Sequence, residues 1–102
     1  MTNIKIIATL QLNSPDLIED WKRISAEIST DLKANASGFI SRESGIDETG
    51  TIYCILQWES LKKSEAFMQT LPLRPDFMEK MADFSRVVDM QSMSKKTINL
   101  FE

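Results

Sequence analysis

The sequence predicts an α+β fold in which a four-stranded antiparallel sheet carries its helices on one face. Two observations support this class: the first and third predicted strands have apolar residues at every second position, and the predicted helices have apolar residues every three or four positions. The predicted order along the chain is β-α-β-β-α-β. A length of 102 residues suits a single domain over 1–102, and a hydrophobic fraction of 42% is ordinary for a globular protein.

The first strand and the first helix are separated by a clear change of period. Residues 4–12, IKIIATLQL, place an apolar side chain at every second position. Ser14 can then cap a helix start, and Pro15 suits the first helical turn. Apolar residues recur at helical spacing at Leu17, Trp21, Ile24, Ile28 and Leu32. Gly38 is expected to end this helix after about 20 residues.

A β-hairpin is predicted next. Its strands are FISRES (39–44) and residues 51–59, and GIDETG (45–50) is the turn between them. The third strand has apolar residues on both faces, with Ile52, Cys54, Leu56 and Trp58 on one and Tyr53 and Ile55 on the other. Within this strand, Cys54 is interpreted as a buried small hydrophobe.

The second helical region is predicted in two pieces. Ser60 can cap a short helix, and prolines at 72 and 75 interrupt the pattern after it. A further helical segment is predicted from about Asp76. Its apolar face consists of Phe77, Met81, Phe84 and Val88.

The chain is expected to close with a fourth strand. Residues 91–96 are predicted to be a polar connection, and 97–101, TINLF, the closing strand. With this strand the order matches the split βαβ, ferredoxin-like motif, in which both helices lie on one face of the sheet.

The second face of such a sheet would be uncovered in a single copy. Ile7, Tyr53 and Ile55 are predicted to lie there, and an exposed apolar patch of this kind usually marks an interface. A second copy packed face to face would cover it. We therefore expect a homodimer.

Composition argues against several functional classes. No apolar run approaches the roughly 20 residues needed to span a bilayer, and we expect no membrane association. The start of the chain lacks a secretory signal pattern, which favours a cytoplasmic location. The net charge is −3 and no basic cluster is interleaved with aromatic residues, so we expect no nucleic-acid partner.

The sequence contains no histidine. Histidine is the side chain best suited to proton transfer near neutral pH and the commonest metal ligand. Nucleotide-binding glycine motifs and paired cysteines are absent as well. We therefore expect no metal, haem or flavin cofactor, and any acid or base must be Asp, Glu, Lys or Tyr.

Three segments carry a resemblance to a known family. They are GFISRES (38–44), YCILQWES (53–60) and SEAFMQT (64–70), and together they resemble the antibiotic-biosynthesis-monooxygenase-like family of dimeric α/β-barrel proteins. The resemblance implies obligate dimers, a cavity between sheet and helices, and activities that include cofactor-free oxygenation of polycyclic aromatic substrates, haem degradation and isomerisation.

The resemblance also implies a role for individual residues. Trp58 is at a position that commonly lines the family's cavity. Where relatives often carry a histidine on the next helix this chain has Phe67-Met68-Gln69, and where haem-degrading relatives carry an asparagine it has Ala8. These departures argue against haem chemistry and histidine-dependent isomerisation.

The candidate site is an apolar cavity between sheet and helices that binds a small aromatic ligand. Its predicted lining is Trp58, Leu56, Phe67, Met68, Phe77 and Arg42. Alternation puts Arg42 and Glu43 on opposite faces, so only one of them can point into the cavity, and the sequence leaves both choices open. Trp58 could equally be a plain core residue.

Two functions are compatible with such a site. The first is a cofactor-independent monooxygenase acting on a small polycyclic aromatic or quinone-type substrate, with catalytic residues unknown. The second is a non-catalytic dimeric module that binds a small hydrophobic ligand or serves as an accessory subunit. The lack of histidine and of convergent polar residues favours the second.

Overall fold

The computed structural model describes residues 3–101 and confirms the α+β class. Its elements are β1 Ile4–Leu12, α1 Ile18–Asn35, β2 Phe39–Ile46, β3 Ile52–Trp58, α2 Leu61–Thr70, α3 Phe77–Val87 and β4 Val88–Asn99. Short 3-10 turns at Pro15–Leu17 and Leu71–Leu73 precede α1 and follow α2. The order is β-α-β-β-α-α-β. Residues 1, 2 and 102 of the predicted domain lie outside the described residues.

The four strands form one antiparallel sheet in the order β2-β3-β1-β4. In the centre of the sheet, Ile6 of β1 lies opposite Leu56 of β3 on one side and Thr97 of β4 on the other. The helices cover one face, which we call the helix side. The other face has no covering element within residues 3–101, and we call it the open face.

The core lies between the sheet and the helices in two clusters. The first core comprises Leu10, Trp21, Ile24, Ile52, Cys54, Val87 and Val88. The second core comprises Ile4, Ile6, Leu32, Trp58 and Phe67. Trp21 is 4% exposed and Cys54 6% exposed, which confirms both as core residues. Within residues 3–101, no helix is long and apolar enough to cross a membrane.

Both serines that were predicted to cap helices accept backbone hydrogen bonds. Ser14 Oγ accepts from the N–H of Asp16 at 3.3 Å, but it caps the 3-10 turn, so α1 begins at Ile18 and has 18 residues. Ser60 Oγ accepts from the N–H of Lys63 at 3.2 Å and starts α2 as predicted. Each cap satisfies a backbone donor that the first turn leaves free.

The fourth strand is longer than predicted. The polar connection predicted at 91–96 is wrong, because β4 spans 12 residues and includes this segment, although its pairing with β1 shifts register between Asp89 and Ser94. Val88 belongs to this strand and not to α3. This edge strand is held by backbone pairing to β1, which does not depend on side-chain polarity. Side chains of this strand such as Lys95 and Thr97 are polar and exposed. The strand therefore lacks the alternation of apolar residues from which it could have been predicted.

The turn of the hairpin is shorter than predicted. Gly45 and Ile46 still pair with β3, opposite Tyr53 and Ile52, so the turn occupies residues 47–51. Asp47 closes it, since its Oδ1 accepts from the backbone N–H groups of Thr49 and Thr51.

Candidate ligand-binding site

The strand register decides the open choice between Arg42 and Glu43. Arg42 lies opposite Leu56, and Glu43 lies opposite Ile55. Arg42 also donates to Ser25 on α1, which places it on the helix side. Glu43 is therefore on the open face, and Arg42 is the one of the pair that faces the helices.

Trp58 is at the centre of the second core and is 2% exposed. Its ring centroid lies 5.7 Å from that of Phe39 in an edge-on arrangement and 6.0 Å from that of Phe67 in a tilted one. Leu56, two residues earlier on the same strand face, packs against this cluster. The structure thus brings together Trp58, Leu56 and Phe67 of the predicted lining.

The indole N–H of Trp58 has no hydrogen-bond acceptor among residues 3–101, although Nε1 is buried. Buried donors are paired in the great majority of cases, and leaving one unpaired costs about 1–3 kcal/mol. Trp58 therefore places an unused donor inside an apolar aromatic cluster.

The other predicted lining residues lie further from this centre. Met68 follows Phe67 on α2 but is 58% exposed. Phe77 is half-buried at the start of α3, outside both core clusters.

Two residues at this cluster were missed from the sequence. Phe39 begins β2 and lies opposite Trp58, a neighbour that only the strand register reveals. Arg74 places its guanidinium 5.5 Å from the centroid of the Phe67 ring and pairs with Asp31 through two contacts of 2.7 Å. Arg74 thus connects α1 to the outer side of Phe67.

A separate cleft lies between α1 and the hairpin. Its volume is about 330 Å³, and its lining includes Arg42 but not Trp58. Arg42 Nη1 donates to Ser25 O at 3.2 Å, to Ser25 Oγ at 2.7 Å and to Ser29 Oγ at 3.0 Å. Arg42 Nη2 is 3.6 Å from the sulfur of Cys54. Of the predicted lining residues, Trp58, Leu56 and Phe67 therefore lie at the second core and Arg42 lines this cleft, while Met68 and Phe77 belong to neither.

The titratable groups expected to move protons lie elsewhere. Tyr53 donates to Asp47 Oδ2 at 3.1 Å at the turn end of the hairpin, and this hydrogen bond raises the pKa of the phenol. The hydroxyl of Thr49 is the main cause that lowers the pKa of Asp47. Tyr53 is on the open face, so neither group reaches Trp58. Glu59, next to Trp58 in the chain, is paired with Lys63 at 2.8 Å.

No grouping of three or more Asp, Glu or Cys side chains suited to a metal ion occurs in the part of the chain that the structure describes. The same residues offer no histidine.

Comparison with protein-family models and with curated proteins finds no match for this sequence. Solved structures, in contrast, share its fold. A candidate antibiotic biosynthesis monooxygenase from Caulobacter crescentus CB15 superimposes with a TM-score of 0.78 at 14% identity, covering 99% of this chain and 92% of that chain. A second such candidate, from Chloroflexus aurantiacus J-10-fl, gives 0.71 at 13% identity, with coverages of 98% and 94%.

SnoaB, a cofactor-independent oxygenase from Streptomyces nogalater, gives a TM-score of 0.70 at 10% identity and covers 98% of this chain and 94% of its own. Identities this low establish a common fold over nearly the whole chain. The resemblance inferred from the three sequence segments is thus confirmed at the level of the fold.

Proposed function

We propose that this protein is a cofactor-independent monooxygenase that acts on a small polycyclic aromatic or quinone-type molecule held against Trp58. The observation that carries the proposal is the buried, unpaired indole N–H of Trp58 inside an aromatic cluster. The fold shared with a cofactor-independent oxygenase supports the reaction type. A substrate oxygen would accept the hydrogen bond that no described residue accepts.

The chemistry needs few protein groups. An aromatic substrate with an acidic methylene group loses a proton to water, because the second core contains no base, and its carbanion reduces dioxygen directly. One oxygen atom becomes the carbonyl oxygen of the product and the other leaves as water, so no external reductant is required. Trp58 would stabilise the negative charge that develops on the substrate oxygen, an effect that is strong where water is excluded.

Access to Trp58 would have to come through α2. Phe67 covers the indole, and its neighbour Met68 is exposed and flexible enough to adapt to a ligand. Because Trp58 is 2% exposed, the substrate would enter only when the side chains of α2 move apart.

Substitution of Trp58 by phenylalanine tests the proposal, because it keeps an aromatic ring and removes the N–H donor, and the reduced side-chain volume is matched by the same change at the control position Trp21. Anthrone, which has an acidic methylene group, is the probe substrate, and oxygen uptake and anthraquinone formation are measured after subtraction of the uncatalysed rate. We expect Trp58→Phe to lower kcat/KM by about a hundredfold, as the loss of one donor to a developing oxyanion does.

Trp21→Phe is the matched control, since Trp21 is equally buried but belongs to the first core. It should leave kcat/KM unchanged. Equal activities of the two variants, or the absence of catalysed oxygen uptake in the wild type, would contradict the proposal.

A non-catalytic binding module is the second candidate. It is favoured by a specific observation: the second core contains no acid or base, and Tyr53 and Asp47 lie away from it. In that case anthraquinone would bind with a Trp58-dependent affinity, and anthrone would not be turned over.

We propose in addition that the protein is a homodimer formed through the open face. One row of residues crosses this face from edge to edge, in the order Lys96, Ile7, Ile55 and Glu43. A two-fold axis that passes between the two isoleucines, parallel to the strands, would place Ile7 over Ile55 of the partner subunit and Lys96 over Glu43 of the partner subunit. The cytoplasmic location expected from the sequence stays a prediction.

A further inference from the structure

Arg42 differs from the other arginines of the chain in having no acidic partner among residues 3–101. The sequence contains four arginines. Arg23 pairs with Asp20, Glu27 and Asp83, Arg74 with Asp31, and Arg86 with Asp20 and Asp83. Arg42 is half-buried and contacts only neutral groups. A partly desolvated cation without a counter-charge is unfavourable unless an anion joins it.

The hydrogen bonds of Arg42 hold the guanidinium in place without using all of its donors. A guanidinium has five N–H donors. The two on Nη1 are shared among the three oxygens of Ser25 and Ser29. Nη2 has only the sulfur of Cys54, a weak acceptor at 3.6 Å, and Nε has no acceptor among the described residues. The Nε and Nη2 donors form the edge that binds a carboxylate through two parallel hydrogen bonds.

The cleft beside Arg42 has the size and lining for a small organic anion. Its volume of about 330 Å³ is at the lower end of the range for small-molecule sites, which suits a ligand with a single ring. Trp21, Ile46 and Ile52 supply apolar walls, and Lys22, which is exposed and pairs with Glu19 at 3.6 Å, lies at the rim. No carboxylate is among the lining residues, although the chain as a whole carries a charge of −3.

We propose that this cleft binds a small carboxylate with a single-ring or similarly compact apolar body, and that Arg42 holds the carboxylate through Nε and Nη2. The site is distinct from the second core, because none of the residues that line the cleft belongs to that core. The proposal does not depend on oxygenase activity. A partner subunit stacked on the open face would not reach Arg42, which lies on the helix side.

Benzoate is the probe, with benzamide as a neutral analogue of the same shape. Both are titrated into ¹⁵N-labelled protein at low ionic strength, and the backbone amides of α1 and β2 and the Nε–Hε signal of Arg42 are followed. We expect benzoate to shift the Arg42 signal and the amides of Ser25 and Ser29, and benzamide to leave them in place. Added salt should weaken benzoate binding, since charge contributes to it.

Arg42→Gln is expected to weaken benzoate binding about tenfold or more, because the charge-assisted hydrogen bonds are lost. Arg42→Lys keeps the charge without the planar edge and should recover only part of the affinity. Arg86→Gln is the control, since it removes an arginine that already has acidic partners, and it should leave the affinity unchanged.

Equal binding of benzoate and benzamide, or no shift of the Arg42 signal by benzoate, would overturn the proposal. So would an unchanged affinity in Arg42→Gln. If Arg42→Gln does not fold, the wild-type comparison of the two probes and the Arg42→Lys variant decide the question.

Discussion

The backbone conformation of Gly38 places the start of β2 next to Trp58. Its φ is +85°, in the left-handed region that side chains disfavour. A Cβ atom at this position would lie 2.9 Å from Cβ of Lys63 and closer still to its Cδ. The carbonyl of Gly38 accepts from the N–H of Glu59 at 2.8 Å, which brings Phe39 beside Trp58.

Gly50 provides a matched comparison with Gly38. Its φ is +88°, yet nothing lies within 4 Å of where its Cβ would be. We expect Gly50→Ala to lower the free energy of unfolding by about 1 kcal/mol from backbone strain alone, and Gly38→Ala by about 2–3 kcal/mol because crowding is added. Urea unfolding measures both. Equal losses of unfolding free energy in the two variants would show that the Lys63 side chain moves aside without a further loss of stability.

Helix α2 covers Trp58 on the helix side of the sheet, and one side-chain cap stabilises the first turn of this helix. It has ten residues, a length at which an isolated helix is marginal in water. Phe67 attaches it to the second core, and Ser60 caps its first turn. The same short helix would have to shift if a ligand reached Trp58.

Ser60→Ala is expected to lower the free energy of unfolding by about 1 kcal/mol, since one backbone donor at the start of α2 loses its acceptor. Hydrogen exchange of the α2 amides should become faster, while exchange in α1 stays the same. Ser60→Asp retains an acceptor at the cap position and serves as the control. An unchanged stability together with unchanged α2 exchange would mean that the cap does not limit the opening of this helix.

Across the whole molecule, the two faces of the sheet differ in how much of them is buried. The helix side is buried by residues of all three helices. The open face exposes 38% of Tyr53 and 37% of Ile98 and ends in Lys96 on one edge and Glu43 on the other. Under a two-fold rotation, the apolar centre of this face would meet the same centre of a second copy, and the positive edge of one copy would meet the negative edge of the other.

Glu43→Lys alone and Lys96→Glu alone should each weaken the proposed dimer, because each places like charges opposite one another twice in a symmetric pair. The double variant Glu43→Lys with Lys96→Glu should restore it. Sedimentation equilibrium measures the mass against the 11.7 kDa of a single chain. Glu65→Lys, an exposed change on α2, should have no effect. A monomeric wild type would refute the dimer, and a double variant weaker than both single ones would refute the register.

Much of the fold could be predicted because local patterns and tertiary structure agree. Strands β1 and β3 alternate, α1 has a regular apolar face, and Ser60 starts α2 as expected, while α1 ends at Asn35, three residues before Gly38. Strand β4 was predicted too short, since its polar side chains are exposed and its pairing is made by the backbone. Of the candidate site, Trp58, Leu56 and Phe67 were predicted correctly as neighbours, while Phe39 and Arg74 were missed because the contacts that bring them there join distant parts of the chain.

Local sequence patterns were enough to establish the α+β class, the order of the elements and the burial of Cys54, because hydrophobic period and helix capping depend on residues close together in the chain. Three findings required the folded structure. Arg42 lies on the helix side, where it donates to Ser25 of α1, while Glu43 lies on the open face. Within residues 3–101, the indole N–H of Trp58 has no acceptor and Arg42 has no acidic partner. These facts depend on strand register and on which side chains meet across the core, and a shift of one residue in register would exchange the two faces.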